Sequence, residues 1–176
     1  MELKKEIQDF IFELTNDIYE YEGYELQLEK LCKKLNLKCL AADFDDNISG
    51  SIIKNEKTDT YDIYVNRKYP RNRRRFTVAH EIGHYISYLK NSYSKIELEA
   101  EGRFEDVAIS YIKNVKFSNA ETEANLIASE LLMPKQKVEK LLKKDLTPEQ
   151  MADLFYVSPS AMTLRLKDLY EDLLII

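Results

Sequence analysis

At 176 residues the chain has room for one domain, or one domain with a small appendage, around a substantial core. Its 44% hydrophobic and 32% charged content is an ordinary globular balance, and a net charge of −5 argues against a surface that coats nucleic acid. The two cysteines, Cys32 and Cys39, form no CxxC pair, and no stretch reaches the roughly 18 apolar residues of a membrane span, so a reducing, cytoplasmic setting without membrane contact is expected.

Residues 2–20 place Ile7, Phe10, Ile11, Leu14 and Ile18 at helical spacing, and no signal-peptide apolar block precedes them. After Gly23, a second apolar set from Leu26 to Leu35 predicts a helix that ends near Asn36, with Cys32 as a buried thiol inside it. The pattern then changes to short runs rich in β-branched and aromatic residues. Lys38–Phe44, Ile48–Lys54 and Thr60–Asn66, separated by Asp/Asn-rich turns, predict three antiparallel strands. Gly50 marks a bulge or a close backbone approach, and an edge strand here could receive an extended peptide by strand addition.

Arg71, Arg73, Arg74 and Arg75 form a basic run just ahead of Phe76-Thr77-Val78-Ala79-His80-Glu81-Ile82-Gly83-His84. Cations oppose the macrodipole at a helix N-terminus, so these side chains are expected to pair with carboxylates elsewhere or to face a substrate. The nine residues that follow hold both histidines of the chain, four apart around a glutamate. On a helix that spacing returns to one face, so His80 and His84 can offer two imidazoles to one metal ion. Glu81 lies about 100° further round the axis, where its carboxylate can reach a water beside the metal without ligating it. Phe76, Ala79, Ile82 and Ile86 give the same helix an apolar stripe. Tyr85 and Tyr88 read as packing residues at its end.

Residues 91–117 show little periodicity and read as a surface excursion that lines the rim. Ser118-Asn119-Ala120-Glu121 has the form of a capping box and predicts a helix from there to Leu132, stopped by Pro134. Gly83 would allow this helix to approach the histidine helix closely. A catalytic site needs a third protein ligand, and with no further histidine that ligand is a carboxylate or a cysteine. Both cysteines precede the motif in segments that read as core, so a glutamate of this helix is the better choice. Spacing alone does not choose among Glu121, Glu123 and Glu130.

FTVAHEIGHYIS followed by ETEANLIASELLMP resembles the ImmA/IrrE family of HExxH zinc metallopeptidases, over about residues 25–135. The resemblance implies that the Glu directly before Ala-Asn, which is Glu123, is the third zinc ligand beside His80 and His84. It also implies an intracellular endopeptidase whose protein substrate is a DNA-binding, helix-turn-helix repressor. Two departures stand out: Ile127 occupies a position where the family usually has Phe, and the gap between the two motifs is long. The final segment, MADLF-x-VSPSAMTLRL, resembles the helix-turn-helix-like tail of many relatives. Thr147 and Ser158 are its expected N-caps, each followed by Pro. Across residues 142–176, four cations face six carboxylates, a poor phosphate-binding surface, so packing or protein contact is expected there and not DNA reading.

The resulting expectation is an α+β zincin-like fold with a small three-stranded antiparallel sheet, divided into a metallopeptidase domain (1–140) and a helical tail (141–176). Zn²⁺ would be the cofactor and Glu81 the general base. The oxyanion stabiliser is left among a tyrosine, an arginine and a backbone N–H. A transcription regulator and a non-catalytic protein-binding module are the rival readings; the acidic tail speaks against the first and the intact Glu81 against the second.

Overall fold

The computed structural model describes residues 3–19, 23–90 and 115–171. The expectation of a surface excursion over 91–117 therefore lies almost wholly outside the described residues. Among those described there are seven helices and three strands: α1 (Lys5–Thr15), α2 (Leu28–Lys34), β1 (Leu37–Ala42), β2 (Gly50–Asn55), β3 (Thr60–Asn66), α3 (Arg71–Leu89), α4 (Val115–Leu132), α5 (Lys135–Leu142), α6 (Pro148–Phe155) and α7 (Pro159–Glu171). The architecture is α+β, and none of these helices is long and apolar enough to cross a membrane.

The sheet is mixed, not antiparallel. Its order is β1-β3-β2, with β2 antiparallel to β3 and β1 parallel to it, from Leu37 opposite Tyr61 to Ala42 opposite Asn66. The β2–β3 hairpin follows from its turn chemistry: Asn55 Oδ1 accepts the amide of Lys57, and Asp59 takes the left-handed conformation at φ 53°. The β1–β2 connection is not a hairpin, because it has to carry β2 across β3. Asn66 holds it there: buried at the end of β3, its side-chain amide donates to the carbonyls of Phe44, Asp45 and Ile48. The β1 sequence carried no sign of this pairing, since Lys38 to Ala41 are exposed without alternation.

Tyr61, Ile63 and Val65 of β3 and Ile52 of β2 are buried in the core that α3 shares through Val78, Ala79, Ile82 and Ile86. β2 is an edge strand. Since Asn66 N–H bonds to the carbonyl of Ser49, antiparallel alternation directs the backbone groups of Gly50, Ile52 and Lys54 away from β3. Gly50 is the close approach the sequence suggested, because a Cβ there would lie 2.5 Å from Thr77 Cγ2 on α3.

The C-terminal helices form as expected. Thr147 and Gln150 make a reciprocal capping box around Pro148, and the Ser158 hydroxyl accepts the amide of Ala161. Met151, Phe155, Val157 and Met162 belong to the same hydrophobic cluster as Ile7, Ile63 and Leu131, so one continuous core joins the tail to the rest.

Candidate metal centre

α3 is a 19-residue helix whose buried side packs on the sheet and on α4. Its crossing with α4 is made at Gly83, where a Cβ would fall 2.7 Å from the carbonyl oxygen and 3.0 Å from the Cα of Ala124. Only hydrogen at Gly83 allows the two backbones so near, as the sequence anticipated. The result is that side chains three residues before Ala124 and one residue after it reach the imidazoles one helix away.

The Nε2 atoms of His80 and His84 lie 3.0 Å apart. One Glu121 oxygen is 3.3 Å from His80 Nε2 and the other is 3.3 Å from His84 Nε2. Three ligand atoms thus converge within 4.8 Å of one another. Two imidazole lone pairs and a carboxylate cannot meet this closely without a cation or a shared proton among them. For a tetrahedral ion with bonds of about 2.0–2.1 Å, ligand atoms are separated by about 3.3–3.4 Å along each edge. The observed separations, 3.0 Å between the imidazoles and 3.3 Å from each to its nearer Glu121 oxygen, lie close to that figure, with one carboxylate oxygen turned to each ring.

The set is held by its surroundings. Asn125 Oδ1 lies 3.0 Å from His80 Nδ1; since a carbonyl oxygen only accepts, the imidazole donates from Nδ1 and leaves Nε2 bare. Glu121 and Asn125 stand four apart on α4, mirroring the histidines on α3. His84 is buried, and burial lowers its pKa toward the neutral, ligating form. At His80, burial acts in the same sense but is outweighed by Glu121, Glu81 and Asn125, which raise it. Burial opposes ionisation of Glu121 too, yet the two imidazoles hold its carboxyl well below the usual range. Glu81 is 8% exposed and accepts the backbone amide of Ile52; burial pushes it up to about 7.

The other sequence candidates lie elsewhere. Glu123 Oε1 accepts the Ser87 hydroxyl at 2.7 Å, and Glu130 pairs with Arg165. Two residues turn a helix by about 200°, so Glu121 and Glu123 cannot both face the imidazoles, and it is Glu121 that does. The capping-box form predicts a helix start at Ser118, but α4 begins at Val115 and places Glu121 in the helix interior. The repeated i, i+4 pair of Glu121 and Asn125 was the signal available in the sequence. Ile52 carried none. Three of the four arginines of the run find partners: Arg71 and Arg75 share Glu25, the carboxylate pairing expected, and Arg73 stacks 3.6 Å over Tyr69. Tyr85 and Tyr88 pack with Tyr61.

The family model for the IrrE N-terminal-like domain, Peptidase_M78, matches residues 32–167. The chain belongs to this family. No curated protein matches it significantly. The matched span of the IrrE N-terminal-like domain takes in the sheet, both helices of the candidate metal centre and the C-terminal pair through Lys167, and it places the chain among peptidases of metallopeptidase type.

Proposed function

We propose that the protein is a zinc-dependent endopeptidase in which His80, His84 and Glu121 hold the metal and Glu81 is the general base. The observation that carries this reading is the 3.0 Å approach of the His80 and His84 Nε2 atoms, each 3.3 Å from an oxygen of Glu121, beside a second, non-ligating carboxylate, Glu81, one residue from the first histidine. Glu121 replaces Glu123 as the third ligand on the strength of that geometry. When bound, zinc supplies Lewis-acid polarisation of the scissile carbonyl and acidifies the attacking water. Glu81, held by the Ile52 amide, removes the water's proton and returns it to the leaving amine. Asn125 keeps His80 in the ligating tautomer.

The substrate would lie extended along β2, pairing with the outward backbone groups of Gly50 and Lys54 on either side of Ile52, whose amide is turned to Glu81. A helix-turn-helix repressor is the substrate that the family likeness favours. Incubating zinc-loaded protein with the repressor encoded beside its gene, and mapping fragments by mass, tests this reading. Glu81→Gln should keep its zinc and lose cleavage by 10²–10⁴-fold, as expected when a general base is removed. Cleavage by that variant at near the wild-type rate would remove the mechanism.

A further inference from the structure

The last turn of α4 leaves carbonyls that its own helix cannot satisfy. Tyr19 Oη donates to the carbonyl of Leu131 at 2.7 Å, and Arg165 Nε of α7 donates to that of Met133 at 3.1 Å. Arg165 is only 8% exposed despite its charge, and its terminal nitrogen pairs with Glu130 in the same turn. Glu130 alone would sit against the negative end of the α4 dipole; the guanidinium reverses that sign. One side chain therefore caps the helix backbone and neutralises its last acid. It is also turned inward, away from any nucleic-acid phosphate.

The same helix pair is seated on α3. Tyr156, between α6 and α7, adopts the left-handed conformation at φ 57°, which glycine or asparagine usually takes. Its ring lies 4.3 Å below the Arg71 guanidinium and 5.8 Å from that of Arg75, in the first turns of α3. The two helices that bring together His80, His84 and Glu121 are thus each gripped by the tail, α3 near its start and α4 at its end.

We propose that the C-terminal helix pair is a clamp for the metal centre, with Arg165 as the positioning residue that fixes α4 and so the reach of Glu121. The proposal rests on the metal reading above. Glu130 and Glu121 are nine residues apart, about 13–14 Å along a stiff helix, so the effect is transmitted and moderate. A clamp and a mere packing contact differ in what they change: both lower stability, but only the clamp alters the ligand geometry.

The test uses the full chain, with zinc affinity measured by chelator competition and ligand geometry by the visible absorption of cobalt-substituted protein. Arg165→Met should weaken zinc binding by about two- to tenfold and alter the cobalt bands, as couplings over such distances do. Arg165→Lys keeps the charge without the fork and should recover part of the loss. Ile63→Val, a core truncation in β3, should lower Tm and leave both metal readouts unchanged. Should Arg165→Met fail to fold, Glu130→Gln and Arg165→Lys carry the comparison. Wild-type affinity and cobalt bands in the Arg165 variants overturn the clamp alone. A wild-type chain that takes up neither metal overturns the metal reading and the clamp with it.

Discussion

Gly83→Ala is the substitution whose consequence the structure specifies most closely. The added Cβ would stand 2.7 Å from the Ala124 carbonyl oxygen, where ordinary contact begins at 3.4 Å, so α4 must withdraw by about 0.7 Å. The contact atoms are backbone and have no rotamer to escape into. Ala gains about 1 kcal/mol over Gly in a helix interior, while overpacking costs about 1–3 kcal/mol. The net is a loss of about 0–2 kcal/mol, and each kcal/mol lowers Tm by about 2–4 °C in a chain of this size. The metal centre should suffer more than the fold. Glu121 sits three residues from Ala124, and a shift of about 0.7 Å exceeds the about 0.2 Å tolerance of a first-row metal–ligand distance. Zinc affinity is therefore expected to fall by tenfold or more, which removes about 1.4 kcal/mol from the stabilisation that saturating zinc confers. Thermal unfolding of both proteins, with and without zinc, reads the two effects separately. A variant about 1 kcal/mol more stable than wild type, with an undiminished zinc-induced rise in Tm, would show that the helices do not meet at Gly83.

Two further outcomes follow from single contacts. Asn125→Ala frees the His80 ring, and zinc affinity should drop by about 10–100-fold, as for other partners of metal-bound histidines; an unchanged dissociation constant would mean that the 3.0 Å contact does not set the tautomer. Thiol titration of the native chain at pH 8 should find Cys39 faster than Cys32: partial burial raises the Cys39 thiol as well, but its surface stays exposed, whereas burial drives the Cys32 thiol up to about 12. Two equally fast thiols would contradict the packing of α2.

Where a side chain's role follows from position within one element, the sequence was readable. The spacing of His80 and His84 defines a helix face without reference to any other part of the chain, and the Thr147–Gln150 cap is equally local. Roles that depend on how two elements meet were hidden. Glu121, Glu123 and Glu130 are chemically equivalent on one helix, and only the crossing at Gly83 and Ala124 distinguishes them. The family likeness pointed to the acid beside Ala124, and the structure turns that acid toward Ser87. The parallel pairing of β1 was hidden for a similar reason, since the side chain that holds the connection from β1 to β2, Asn66, stands at the end of another strand. Arg165 reads as one cation in an acidic tail until its partner Glu130 is seen.

Metal content of Glu121→Gln and Glu123→Gln, measured side by side with wild type by native mass spectrometry after zinc loading, tests the central assignment most directly. Wild type and Glu123→Gln should each carry about one zinc per chain, and Glu121→Gln should lose it, because a neutral amide is a poor substitute for the ligating carboxylate. Retention of zinc by Glu121→Gln together with its loss from Glu123→Gln would contradict the centre described here.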